Sequence, residues 1–217
     1  MNIGIDIDDT ISDTYETQFN VAQYYTINVL KRDGKINELN NLTNHFYNKY
    51  LHNWNDEEEM EFFTRYYKKC LEEIRPKMYA KEVLDKLKEE NKIYLVTARF
   101  DWGETKAEDV TKKWLEDFKI PYDKLIVNAQ DKAEIAKKYN INIFLDDSYT
   151  NCQKVAEIGA KTYLMDSRVN RGIKEDEKIE RIYSWPHFYQ KLKEEEICYV
   201  RITTNNFNTR GFEKAVW

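Results

Sequence analysis

Short apolar runs alternate with amphipathic stretches along most of this chain. Asn2 to Asp6 has the pattern of a short buried strand, repeated at Ile93 to Val96, Leu125 to Val127 and Ile141 to Leu145, with a more polar fifth run at Lys161 to Met165. Between these runs the apolar positions fall at helical spacing: Val83, Leu84 and Leu87; then Val110, Trp114 and Phe118; then Ile135, Ala136 and Tyr139. Strands that alternate with helices predict an α/β fold built on a parallel sheet.

One stretch breaks the alternation. From Ile11 to Lys77 the periodicity is helical only, with one stripe at Ile11, Tyr15, Phe19, Ala22 and Val29 and another at Phe62, Phe63, Tyr66, Cys70 and Ile74. Pro76 ends the second stripe, because proline disfavours helix in the residue before it and donates no backbone hydrogen bond. The expected organisation is an α/β core over residues 1–10 and 78–196, an inserted helical cap over 11–77 with its return linker near Arg75 to Lys77, and an unassigned tail over 197–217.

A chain of 217 residues holds one ordinary domain with a modest insertion and still buries a substantial core. Its 41% hydrophobic and 34% charged residues, with a mean hydropathy of -0.81, suit a folded protein in water, and no apolar run reaches membrane-spanning length. The opening residues reach an acid at Asp6, too early for the basic and apolar regions of a signal peptide, so a cytoplasmic protein is expected. Cys70, Cys152 and Cys198 are widely spaced and fit buried or free thiols better than a metal pair or a disulfide framework. The net charge of -5 argues against binding a nucleic-acid polymer, which needs a sustained basic face; a small anion needs only a local cationic pocket.

Open α/β sheets bind ligands beyond the carboxyl ends of their strands, so the residues after each strand are the ones to inspect. Here they are Asp6-Ile7-Asp8-Asp9-Thr10, Thr97-Ala98-Arg99 and Asp146-Asp147-Ser148, with Lys132 at the start of the helix before the fourth strand. Acids converging on one sheet edge repel one another unless a cation neutralises them, and oxygen-only ligation suits Mg2+ rather than zinc. Magnesium commonly binds through one or two carboxylates plus a substrate phosphate, so a phosphorylated small molecule is expected as well. Phosphoryl transfer needs a nucleophile, neutralisation of the equatorial oxygens and a proton for the leaving alcohol. Asp6 is the candidate nucleophile, Asp8 the proton carrier, and Thr97 with Lys132 the phosphoryl anchors.

These residues, in this order, resemble the four motifs of the haloacid dehalogenase superfamily: Asp6 to Thr10 the first, Thr97 the second, Lys132 the third, and Asp146-Asp147 after Ile143-Phe144-Leu145 the fourth. The resemblance runs from Met1 to Asp166. It implies a Rossmann-like parallel core with an inserted cap of the C1 type, a magnesium ion held by Asp6, the backbone carbonyl of Asp8 and one of Asp146 and Asp147, and phosphate contacts from Thr97, Ala98 and Lys132. Within the superfamily the chain looks closest to the 5'-nucleotidase and 5'(3')-deoxyribonucleotidase branch, by the size and position of the cap, the Thr97-Ala98-Arg99 loop and the Asp146-Asp147-Ser148 ending. That branch implies a nucleotide substrate and phosphatase activity. The chain departs from it at Asp9-Thr10, where those enzymes more often carry Gly and an aliphatic residue.

Plainer readings exist for each residue taken alone. Asp8, Asp9 and Thr10 could merely cap a helix, Thr97 sit in an ordinary turn and Lys132 lie in solvent. Arg99 either pairs with a helix acid or touches substrate, and Asp147 either ligates metal or orients Lys132. The aromatic residues Tyr15, Phe19, Phe62, Phe63 and Tyr66 could stack a nucleobase, but stripes at helical spacing are more often core. His45, His52 and His187 have no zinc or triad spacing. Two other functions stay open: a phosphatase of a sugar phosphate or other metabolite, and a receiver-like signalling module, against which the order counts because Lys132 precedes the Asp146-Asp147 pair.

Overall fold

Six parallel strands form one sheet: β1 (Asn2–Ile5), β2 (Lys92–Val96), β3 (Lys124–Ile126), β4 (Ile143–Asp146), β5 (Lys161–Met165) and β6 (Ile179–Ile182), in the spatial order β3-β2-β1-β4-β5-β6. The computed structural model describes residues 1–38, 47–174 and 176–194. His45, Cys198 and the tail over 197–217 lie outside them. The expected α/β class and parallel sheet are present.

The strand order reverses between β1 and β4. β1 pairs with β2 on one side and β4 on the other, with Ile3 opposite both Ile93 and Ile143. Such a reversal opens a crevice at the carboxyl ends of the two strands. Gly4 sits at this tight point: a Cβ there would lie 2.8 Å from Phe144 Cδ2 and 3.0 Å from Ile141 Cγ2.

Between β1 and β2 lie α1 (Thr14–Tyr24), which continues as a π-helical turn over Tyr25–Val29, then α2 (Tyr47–His52), α3 (Asp56–Glu73) and α4 (Ala80–Lys88). The later crossovers carry α5 (Ala107–Asp117), α6 (Lys132–Lys138) and α7 (Tyr149–Glu157), and a helix over 185–194, α8, follows β6. Asn55 starts α3 with a reciprocal cap, its side chain accepting from Glu58 N at 2.9 Å while Glu58 accepts from Asn55 N at 3.0 Å. The segments leading into α1 and out of α3 run side by side: Asp13 N donates to Arg75 O at 2.9 Å and Lys77 N to Ile11 O at 2.7 Å.

Three sequence expectations shift. Ile11 lies before α1 and packs with the sheet core rather than on the helical stripe. β4 starts at Ile143, not Ile141, because Ile141 packs among the side chains beneath the helices. β6 was not anticipated, since Glu180 and Arg181 interrupt its apolar pattern. It is an edge strand, and Arg181 is braced by Asp166 at 3.2 Å and by Asn170 at 2.6 Å.

The main core joins Ile3, Ile5 and Ile7 of the first-strand region to Leu95, Leu145, Tyr163, Trp114 and α8. Trp185 of α8 donates Nε1–H to Thr10 O at 3.0 Å, tying the far end of the described chain to the loop after β1.

Candidate active site

The β2-β1-β4 neighbourhood brings three strand ends together, and with them Thr97, Asp6 and Asp146. Asp6 prolongs the ladder, donating its N–H to Leu145 O at 2.9 Å. Lys132 is the first residue of α6, where Asp131 caps the helix by accepting from Ala133 N and Glu134 N. Its ammonium bridges the two acids, 2.5 Å from Asp6 Oδ1 and 2.7 Å from Asp146 Oδ2, with all three side chains buried. Burial alone would lower the Lys132 pKa, but Asp146 and Asp6 override it and raise it. Burial pushes Asp6 up to about 8, aided by Asp146 and Asp8 and opposed by Lys132. Asp146 also accepts from Ser148 N at 2.7 Å and from the Asn151 amide at 3.2 Å.

Asp8 lies in a different environment. Arg99 clamps it, with Nη2 2.7 Å from Oδ1 and Nε 3.0 Å from Oδ2, and Thr14 and Thr97 donate to it at 2.8 and 3.2 Å. Burial would raise its pKa, but the guanidinium and these hydrogen bonds lower it below the ordinary carboxylate value. Arg99 itself is buried, donates to Thr111 Oγ1 at 3.3 Å and lies over the Trp114 ring. The acid it pairs with is therefore Asp8, not one on a helix. Thr97 is fully buried, while Ala98 beside it is exposed.

Asp147 is oriented by Ser167, whose Oγ donates to it at 3.1 Å, and Asn170 holds its carbonyl at 2.8 Å. Lys132 donates to Asp6 and Asp146 instead. Burial, with Asp9, Asp146 and Asp6 close by, raises the Asp147 pKa well above normal. One carboxyl oxygen each from Asp6, Asp146 and Asp147 lie within 4.8 Å of one another, all buried. Three hard oxygen donors this close, with one ammonium among them, fit a magnesium ion.

Asp9 stands where the related branch more often has Gly, and its φ of 57° is left-handed. Its carboxylate accepts from the N–H of Tyr15, the second residue of α1, at 2.8 Å, satisfying one of the free donors at that helix start. Burial pushes its pKa up to about 7. On the helical side, Tyr47 of α2 is buried, and burial together with Asp9, Tyr15, Asp147 and Asp8 raises its phenol. The Tyr47 ring lies 4.8 Å from that of Tyr15, whose N–H donates to Asp9, so α2 starts beside the acidic loop. Tyr15 and Phe19 pack with Tyr47 and Leu51, whereas Phe62 and Tyr66 join Tyr25 and Trp54 in a separate aromatic core. Phe63 lines a cavity of about 850 Å³ with Tyr50, Trp54, Phe100 and Trp102.

Thr14, Asn151, Ser167, Asn170 and Tyr47 were not singled out from the sequence. For Ser167 a signal existed: it follows the fifth strand by two residues, and the strand-end rule points to it. The others reach the site from helices or loops whose orientation no local pattern reveals.

The chain resembles known proteins over most of its length. The model of the family "5' nucleotidase, deoxy (Pyrimidine), cytosolic type C protein" matches residues 1–196. A nucleotidase of Clostridium acetobutylicum is 32% identical over 190 residues, covering 87% of this chain and 92% of that protein. YqfW of Bacillus subtilis is 29% identical over 205 residues, covering 93% and 98%. Among solved structures, a predicted phosphatase from Clostridium acetobutylicum superposes with a TM-score of 0.60 at 15% identity, covering 89% of this chain and 98% of that one. A haloacid dehalogenase-like hydrolase from Streptococcus pneumoniae gives 0.59 at 14%, covering 82% and 92%. At these identities the structures show the shared fold.

Proposed function

This chain belongs to the haloacid dehalogenase-type 5'-nucleotidase family, and from that premise we propose that it is a magnesium-dependent phosphatase of nucleoside or deoxynucleoside monophosphates, with Asp6 as nucleophile. The observation that carries the mechanism is the contrast between two acids two residues apart. Asp6 lies among Lys132, Asp146 and Asp147, and Asp8 is held apart by Arg99.

Asp6, the Asp8 carbonyl, Asp146 and Asp147 would hold magnesium, which when bound neutralises charge on the phosphoryl oxygens. Asp6 attacks phosphorus, forming an aspartyl phosphate as the bond to the leaving alcohol breaks. Asp8 gives its proton to that leaving oxygen, then takes one from the water that releases inorganic phosphate. The Arg99 clamp favours the ionised form, the one needed for the second half-reaction. For the first, Asp8 must enter carrying a proton. Thr97, the exposed Ala98 and Lys132 hold the phosphoryl oxygens. Residues 11–77 act as the cap that selects the leaving group, over a core formed by residues 1–10 and 78–196, and the protein works in the cytoplasm.

A screen of purified protein against phosphorylated metabolites, with and without a chelator, tests the substrate and the metal. Turnover in metal-free buffer, or a preference for sugar phosphates over nucleotides, would overturn those parts. Rapid-quench labelling tests the roles. Asp6→Asn is expected to lose both turnover and phosphoprotein, whereas Asp8→Asn should still label on Asp6 with a good leaving group but dephosphorylate slowly. Label on Asp8 or on a serine would reject the mechanism.

A further inference from the structure

Two polar side chains one turn apart on α2 are buried without hydrogen-bond partners. Asn48 is 8% exposed and His52 2%; the Asn48 Oδ1 and both ring nitrogens of His52 bond to nothing. Their i, i+4 spacing puts them on one face of the helix. A buried histidine that only filled space would satisfy at least one nitrogen, as neighbouring Trp54 does by donating Nε1–H to Thr26 Oγ1 at 3.0 Å. The imidazole is instead set between two rings, 5.2 Å from Trp54 with planes 21° apart and 5.7 Å from Phe19.

The place also matters. Asn48 follows Tyr47, whose ring lies 4.8 Å from that of Tyr15, the residue whose N–H donates to Asp9 at 2.8 Å; α2 therefore begins beside the loop that carries the acids, and His52 lies one helical turn, about 5 Å, further along.

We propose that Asn48 and His52 form a hydrogen-bonding subsite in the cap that recognises the edge of the substrate's heterocyclic base, with Phe19 and Trp54 as its aromatic surroundings. The proposal rests on the nucleotidase reading. The asparagine amide offers a donor and an acceptor on one edge, and a neutral imidazole, whose two nitrogens point in different directions, adds either its N–H or its bare nitrogen. Burial keeps His52 neutral by lowering its pKa to about 4. Such a pair complements a base edge that also carries donor and acceptor side by side, and a sugar without a base leaves it unfilled. Entry requires α2 to move, as expected of a cap that closes over its substrate.

The test compares nucleoside monophosphates with ribose 5-phosphate, which lacks only the base, in wild type, Asn48→Leu and His52→Phe with magnesium present. The ratio of kcat/KM for nucleotide over ribose 5-phosphate is expected to fall tenfold or more in each variant. Thermal unfolding is expected at or above the wild-type Tm, because no hydrogen bond is lost, and free nucleosides should raise the Tm of wild type but not of the variants. An unchanged ratio in folded variants, with wild type still preferring nucleotides, overturns the subsite and leaves the nucleotidase reading standing. A variant that fails to fold overturns it too, since the side chain then has a structural role. If wild type itself prefers ribose 5-phosphate, the nucleotidase reading falls and the subsite with it.

Discussion

At the scale of single residues, the site is a set of charges whose partners determine their ionisation. Lys132 joins Asp6 to Asp146, and such a buried group is costly to leave unpaired, so its value lies in what its absence would do to the two acids. Arg99 does the same for Asp8, at the price of no longer being free for the substrate. His52 is the opposite case, a titratable group with no partner. Its folded pKa of about 4 lies below the 6.5 of an unperturbed histidine. The unfolded chain therefore binds a proton first as the solution is acidified. The stability that comes with a neutral His52 is present in full above pH 6.5 and is lost as pH falls towards 4, by up to about 3 kcal/mol. Urea unfolding of wild type and His52→Phe across this range should show the variant gaining relative stability as pH drops. A constant difference between the two would mean that His52 is solvated.

At the scale of elements, the junction of β1 and β4 sets the spacing of the acids. Gly4 lets the strands and Phe144 approach closely, and any side chain there meets Phe144 at 2.8 Å. Gly4→Ala is expected to destabilise the fold by about 1–3 kcal/mol, as overpacking does, and to lower turnover by moving Asp6 two residues away. Equilibrium denaturation checks the first and kcat the second; a variant with wild-type stability would show that Phe144 yields without cost. The paired linkers at 11–13 and 75–77 place the inserted helices from one side of this junction. β6 and α8 extend the sheet on the other side, and Trp185 links α8 back to the loop that carries Asp8 and Asp9.

At the scale of the whole molecule, three buried carboxyl groups within 4.8 Å make the folded chain a better magnesium ligand than the unfolded one. Binding to the folded state alone stabilises it by mass action, about 2.7 kcal/mol at a hundredfold excess over Kd, or roughly 5–10 °C in Tm for a chain of this size. Thermal unfolding with magnesium and with a chelator should differ by about that much, and Asp147→Asn should shrink the difference. Equal Tm values would mean that the cluster does not hold the ion. Among the described residues no helix is long and apolar enough to cross a membrane. Membership in an enzyme family removes the receiver-like alternative, as the order of Lys132 and Asp146 had argued.

The sequence by itself determined the alternation of β1, β2, β3, β4 and β5 with helices, and the acids at the ends of β1 and β4, because periodicity and strand-end position are local properties that burial on both faces of a parallel sheet imposes. The ordered motifs from Asp6 to Asp147 were legible through their resemblance to those of the haloacid dehalogenase superfamily. Only the tertiary structure decided which charges meet. Arg99 reaches Asp8 across 91 positions and Lys132 reaches Asp6 across 126, distances over which no spacing rule operates. It also decided that Asp146, rather than Asp147, orients Lys132, and that β6 forms despite its charged centre, because Asp166 and Asn170 arrive from elsewhere to brace Arg181. His52 shows the limit most plainly: three scattered histidines carry no pattern, and burial without a partner is a fact of packing alone.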